Sequence, residues 1–254
     1  MTAPALVALA PASRDSRSTK TITALVDQVK AQRPDLRVER AFLDAEGTGG
    51  RWVRPELQAV VDRLVKAGHD EVVVVPLTLT ETDVAMPGLA AAVEAATGRH
   101  PGLQLRVTAP LGLEPCFLEV LDERLREELR ASRVRELDAL VLAAAGSPDP
   151  LANQSVARLA RLWGTHHRLP VSAAYAASAP PATGEAVRAF RGEGRRHIAV
   201  ASLFLTPGEL TDRAAELALE AGAIAVSEPL GAHPEVARVV LARYAVGAVE
   251  LVPV

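Results

Sequence analysis

The chain has 254 residues, 49% of them hydrophobic and 23% charged, with 28 Lys and Arg set against 31 Asp and Glu for a formal net charge of −3. At roughly 150 residues per domain this suffices for one large or two small folded domains and excludes a disordered chain. The near-balanced charge and an aromatic content of 3% exclude nucleic acid as the main partner, because neither a basic surface nor a set of base-stacking platforms is available.

Short apolar runs alternate with longer segments of helical period, the pattern of βα units laid on a parallel sheet. Ala5–Ala10 reads as a first buried strand. It has no basic stretch before it and is too short to span a bilayer, so neither a signal peptide nor a membrane helix is expected. A Ser/Arg/Asp turn leads into a helix over Ser18–Gln32, followed by a strand at Leu36–Leu43. A further helix, Pro55–Ala67, stops at Gly68. Glu71–Leu79 is the clearest strand, since Val72–Val75 is a continuous β-branched run suited to burial on both faces. A helix over Met86–Ala96, a strand at Leu103–Ala109 and a helix over Pro115–Arg130 complete this half. The single cysteine, Cys116, excludes a disulfide framework and a thiolate metal cluster within the chain, and points to the cytoplasm.

From Leu137 the pattern begins again. The stretch "LVALAPASRDSRSTK" from Leu6 pairs with "LVLAAAGSPDPLANQ" from Leu140, which places Ser13 on Ser147 and Asp15 on Asp149. "DEVVVVPLTLT" from Asp70 pairs with "RHIAVASLFLT" from Arg196, and "APLGLEP" from Ala109 with "EPLGAHP" from Glu228. The fold class expected is therefore α/β: two similar domains, 1–133 and 134–254, related by an internal repeat, each a parallel sheet flanked by helices. Ligands of such sheets sit outside the carboxyl ends of the strands, where helix N-termini offer N–H groups to anions, and two related halves can face each other across a cleft.

At these carboxyl-end loops the chain resembles the class II chelatases, specifically the two-domain sirohydrochlorin chelatases. The likeness is carried by "ASRDSRS", "VVVVPLTLT", "GSPDPLANQSVARLARLW", "SLFLTPGELTDRAAE" and the "PLG" element of each half, and it covers nearly the whole chain. What it implies is insertion of a divalent metal, Co²⁺, Fe²⁺ or Ni²⁺, into a tetrapyrrole in cobalamin or siroheme synthesis. The metal is then a substrate, and no tightly bound cofactor is expected. The sequence departs from the family where the chemistry lies. The family's first loop reads Gly-His-Gly-Ser-Arg, whereas this chain has Ala10-Pro11-Ala12-Ser13-Arg14. Its second histidine follows the third strand, where this chain has Thr80-Glu81-Thr82-Asp83-Val84.

Metal insertion requires removal of two pyrrole protons and a transient ligand for the incoming ion, both suited to a neutral imidazole. Without those histidines, Glu81 and Asp83 are the first-half carboxylates placed to serve as base and metal ligand, or else they are solvated loop acids near a helix start. The acidic side chains of a tetrapyrrole call for positive charge or N–H donors. Ser13 and Arg14, and Ser147 and Asp149 in the second half, lie between a strand and a helix and are the candidate substrate-binding residues. Ser13, Asp15, Ser147 and Asp149 serve equally as plain helix caps. Arg51 and Arg54 could add charge from the loop after the second strand, although loop arginines are more often simply solvated.

Of the six histidines, His69 and His197 fall at the amino ends of strands, and His100 and His233 precede prolines. His166 and His167 form one cluster, but neighbours on a helix end point about 100° apart and make a poor pair of ligands. No P-loop, dinucleotide fingerprint or nucleophile elbow occurs. Two readings follow: a chelatase, a lyase with altered catalysis, or an inactive homologue that binds a tetrapyrrole, a metal or a partner protein. The apolar helix at Glu235–Val246 offers a face for homo-oligomer formation or for an ordinary core.

Overall fold

A computed structural model of the chain describes residues 3–43, 55–79, 86–134 and 136–251. Eight strands and eight helices are formed among them. In the first half they are β1 (Ala5–Pro11), α1 (Ser16–Gln32), β2 (Val38–Leu43), α2 (Leu57–Lys66), β3 (Glu71–Pro76), α3 (Leu89–Arg99), β4 (Gln104–Val107) and α4 (Phe117–Ala131). The second half contains β5 (Ala139–Ala144), α5 (Pro150–His167), β6 (Val171–Tyr175), α6 (Thr183–Gly192), β7 (Ile198–Leu203), α7 (Glu209–Glu220), β8 (Ala225–Val226) and α8 (Pro234–Glu250). Within the described residues, each expected element of the first half is present and the differences lie at the ends. The helix expected from Met86 begins at Leu89, after the left-handed Gly88, while Met86 itself is buried just ahead of it.

The two sheets are wholly parallel and share one order, β2-β1-β3-β4 and β6-β5-β7-β8. The α/β class and the internal repeat are therefore properties of the structure. Val72–Val75 is buried throughout, as are β5 and β7 along their full lengths, because helices cover both sheet faces. In the first sheet Ala5, Val7, Leu9, Val72 and Val74 pack against Leu57, Val60 and Leu64 of α2 and Leu89 and Ala96 of α3. The opposite face receives α8, which packs against α1, β3 and β4. Gly247 makes that approach close: a Cβ there would lie 2.7 Å from Val73 Cγ1 and 2.7 Å from Thr108 Cγ2.

The packing units differ from the sequence halves 1–133 and 134–254. One unit comprises residues 1–112 and 232–254, the other residues 113–231. The helix that ends each repeat belongs with the sheet of the other: α4 packs against β7 and β8, and α8 against β3 and β4. Two arginines at corresponding positions fasten this arrangement. Arg243 of α8 donates from Nε to Pro110 O and from Nη2 to Leu111 O, both at 2.8 Å, in the first "PLG" element. Arg124 of α4 donates to Leu230 O at 3.3 Å in the second. Tyr244 adds a hydrogen bond from its hydroxyl to Pro4 O at 2.7 Å. The apolar stripe of Glu235–Val246 is thus used in the core, with Val236, Val239, Val240 and Tyr244 buried. Among the described residues no helix is long and apolar enough to cross a membrane.

Candidate functional site

The loops at the carboxyl ends of β1 and β5 have the same internal wiring. Ser13 Oγ accepts from the backbone N–H of Asp15 at 3.1 Å, and Asp15 Oδ1 accepts from that of Arg17 at 2.8 Å. In the second half, Ser147 Oγ accepts from Asp149 N at 3.1 Å and Asp149 Oδ1 from Leu151 N at 2.9 Å. The cap residues share one backbone conformation, φ −78° and ψ 115° at Asp15 and φ −80° and ψ 117° at Asp149. Each aspartate occupies a helix N-terminus with its own carboxylate, which satisfies one of the N–H groups that would otherwise serve a bound anion.

The two loops differ in their second partners. The Arg17 guanidinium forks onto Asp15, with Nε 3.0 Å and Nη2 2.6 Å from Oδ2. The side-chain bond from Arg17, followed by its backbone N–H, holds the Asp15 carboxyl below the usual carboxylate range. Leu151 stands at the matching position in α5. There the stiffening comes from Asn153, whose Oδ1 accepts from Ser147 N at 3.0 Å and whose Nδ2 donates to Ser147 O at 2.7 Å. Tyr175 in turn donates to Asn153 O at 2.9 Å, and burial pushes its hydroxyl pKa up. Gly146, just before this loop, has φ +86°, and a Cβ on it would lie 2.0 Å from Ala177 O. The second loop is therefore a packed, fully wired turn.

Each candidate substrate-binding residue has a definite place in this wiring. Ser13 is half-buried within the first turn and Arg14 is exposed beside it. Ser147 is buried, with its hydroxyl and both backbone groups engaged inside the loop, and Asp149 is exposed at the cap of α5. Capping is the role this geometry shows for Asp15 and Asp149. Glu81 and Asp83, with Arg51 and Arg54, lie outside the described residues.

The histidines divide by position. His69 and His197 sit at the amino ends of β3 and β7. The backbone N–H of His197 donates to Asp138 Oδ1 at 3.1 Å. His100 Nε2 lies 2.7 Å from Asp62 Oδ1. His233 caps α8, its Nδ1 accepting from Glu235 N at 3.1 Å. His166 and His167 close α5 and meet Asp122 of α4, a residue that sequence reasoning passed over. The adjacent rings, expected to diverge, have centroids 4.9 Å apart. The available signal was the buried helix stripe of Phe117, Val120, Leu121 and Leu125, which also takes in Asp122.

Comparison with known proteins gives the same assignment from both halves. The CbiX family model matches residues 5–128 and 139–246. The sirohydrochlorin cobaltochelatase of Priestia megaterium is 26% identical over 184 residues, 72% of this chain and 58% of that protein, so the chain spans little more than half the length of this curated relative. SirB from Bacillus subtilis with Fe³⁺ shares the fold at a TM-score of 0.77 and 20% identity, over 96% of each chain. The sirohydrochlorin chelatase SirB from Bacillus subtilis subspecies spizizenii, in complex with cobalt, does so at 0.76 and 19% identity, covering 98% of this chain and 97% of that one. With the repeat, the shared sheet order and the paired Ser-x-Asp loops already in place, the chain belongs to the CbiX family of sirohydrochlorin chelatase-like proteins.

Proposed function

We propose that the protein acts on a sirohydrochlorin-type tetrapyrrole and a divalent metal, Co²⁺, Fe²⁺ or Ni²⁺, as substrates, inserting the metal by a carboxylate-dependent variant of the family chemistry in the cytoplasm. The observation that carries this reading is the family match across both halves, together with the repeated wiring of their carboxyl-end loops. Arg14, exposed at the mouth of the first loop, is the cation that the described residues of that loop offer to a substrate carboxylate, since Arg17 is committed to Asp15. Ser13 shapes that turn, and Ser147 and Asp149 hold its counterpart.

The proton acceptors fall to Glu81 and Asp83. Pro11, the last residue of β1, stands where the family's loop carries histidine, and a proline side chain neither takes a proton nor binds a metal. The same replacement favours a second reading, in which the chain binds a tetrapyrrole, a metal or a partner but inserts nothing.

An anaerobic absorbance assay of sirohydrochlorin with each metal, beside a titration of the tetrapyrrole alone, separates the two. Insertion faster than the spontaneous rate, abolished in the Glu81→Ala/Asp83→Ala variant, supports the chelatase. Insertion unchanged in that variant refutes the role given to the carboxylates. Binding without insertion selects the second reading, and Arg14→Ala is expected to weaken tetrapyrrole binding under either.

A further inference from the structure

Asp122, His166 and His167 form a cluster that the proposed reaction does not use. The three residues offer one ligand atom each, two imidazole nitrogens and a carboxylate oxygen, all within 4.8 Å of one another. Two α-helices of one packing unit, residues 113–231, bring them together. Asp122 lies in the second turn of α4, and the histidines are the last two residues of α5, at the end of the sheet where β6 begins. This is the opposite end from the Ser147 and Asp149 loop.

The carboxylate is held in advance. Asp122 is only 8% exposed, and its Oδ1 accepts from Trp163 Nε1 at 2.8 Å and lies 2.7 Å from His167 Nε2. Trp163 is fully buried and also meets the His167 ring edge-on, with centroids 5.6 Å apart. Indole N–H is a donor only, so this contact orients the carboxylate by one lone pair of Oδ1 and does not engage Oδ2. His166 is exposed and gives an ion its way in. The neighbouring cation, Arg126, lies 3.7 Å from Oδ2 on a side chain that is 58% exposed and free to swing into water.

We infer that Asp122, His166 and His167 form a binding site for a divalent transition-metal ion, separate from the substrate loops. Two imidazoles with one carboxylate suit Co²⁺, Ni²⁺, Zn²⁺ or Fe²⁺, whereas Mg²⁺ and Ca²⁺ take oxygen ligands. Ligand atoms on one such ion, at about 2.0–2.2 Å from it, lie roughly 3–3.5 Å apart. Rotation of the exposed His166 ring closes that gap, the 2.7 Å Asp122–His167 hydrogen bond opens as both groups turn to the ion, its proton passing to Nδ1 or to water, and the remaining coordination positions fall to water.

This inference stands without the chelatase reading, and Co²⁺ tests it on the full chain. Equilibrium dialysis counts the bound equivalents, and the visible absorption of Co²⁺ reports nitrogen and oxygen ligation. One equivalent is expected whose affinity falls in His166→Ala and in His167→Ala, by at least the roughly 10- to 100-fold that loss of an outer-shell partner costs. Asp122→Asn keeps an oxygen acceptor for Trp163 while removing the charge, and is expected to lose the same equivalent with the fold intact by circular dichroism. Arg126→Ala is expected to tighten binding. The Glu81→Ala/Asp83→Ala variant is expected to retain this equivalent even if insertion fails. A wild-type chain that binds no Co²⁺, or an equivalent untouched by His166→Ala and His167→Ala, overturns the inference.

Discussion

Gly146→Ala tests how tightly the second carboxyl-end loop is built, because the structure separates two sources of cost. The first is conformational: an alanine at φ +86° bears about 1–2 kcal/mol of left-handed strain. The second is contact. The new Cβ would lie 2.0 Å from Ala177 O and 3.0 Å from Tyr175 Cβ, against a comfortable carbon–oxygen separation of about 3.3 Å. The backbones must therefore part by more than 1 Å. They are joined by the bonds Ala176 N to Ala144 O at 2.9 Å and Ala177 N to Ala145 O at 3.0 Å. Breaking one of these leaves partners unsatisfied at about 1–3 kcal/mol, for a total of about 2–5 kcal/mol. Gly68 supplies the control: its φ is also +86°, but a Cβ there meets nothing within 4 Å. Urea unfolding followed by far-UV circular dichroism measures both variants, and in a Trp52→Phe background the fluorescence of the buried Trp163 reports the unit that contains the Gly146 loop. Gly68→Ala is expected to show the conformational strain alone. A Gly146→Ala variant no less stable than Gly68→Ala would refute the contact argument.

Three further outcomes are expected. Asp149→Ala removes the cap bond to Leu151 N and should cost about 1 kcal/mol, read from the urea midpoint. Deleting residues 234–254 strips α8 from its sheet. Loss of buried Val236, Val239, Val240 and Tyr244 costs on the order of 6 kcal/mol or more, enough to unfold a typical domain. The expected readout is lost amide dispersion for β1, β2, β3 and β4, with unit 113–231 retaining its Trp163 emission in a Trp52→Phe background. Hydrogen bonds from His100, and next from Gln58, hold the Asp62 carboxyl below its ordinary value of 3.8. The stabilisation from Asp62 is therefore present above that value and lost as pH falls through the lowered one. The stability difference between wild type and Asp62→Asn should shrink on acidification, and a difference that widens would contradict the sign.

The elements were legible because their signals are local. Val72–Val75 announced a strand buried on both faces, and the matched spacing of Ser13 with Asp15 and of Ser147 with Asp149 announced two copies of one turn. That both aspartates cap their helices, instead of leaving N–H groups for a ligand, depends on side-chain rotamers that residue types alone left open. The helix exchange left no local trace. The stripe of Phe117, Val120, Leu121 and Leu125 fits any apolar sheet face, so nothing in it says which sheet α4 covers. Asp122 was obscure for a related reason. An acid in a helix of alternating charges reads as solvated until Trp163 and His167, more than forty residues later in the chain, are seen to close over it.

The exchanged helices also impose an order on the birth of the protein. Unit 113–231 is continuous in the chain and holds all of its own helices, so it can close as soon as it has been made. The first sheet, although synthesised earlier, keeps the face lined by Val73 and Thr108 uncovered until Pro234–Glu250 arrives. The usual sequence, in which the leading domain folds first, is thereby reversed. During translation the first sheet, made before unit 113–231, is the one that waits with a face exposed to misassociation.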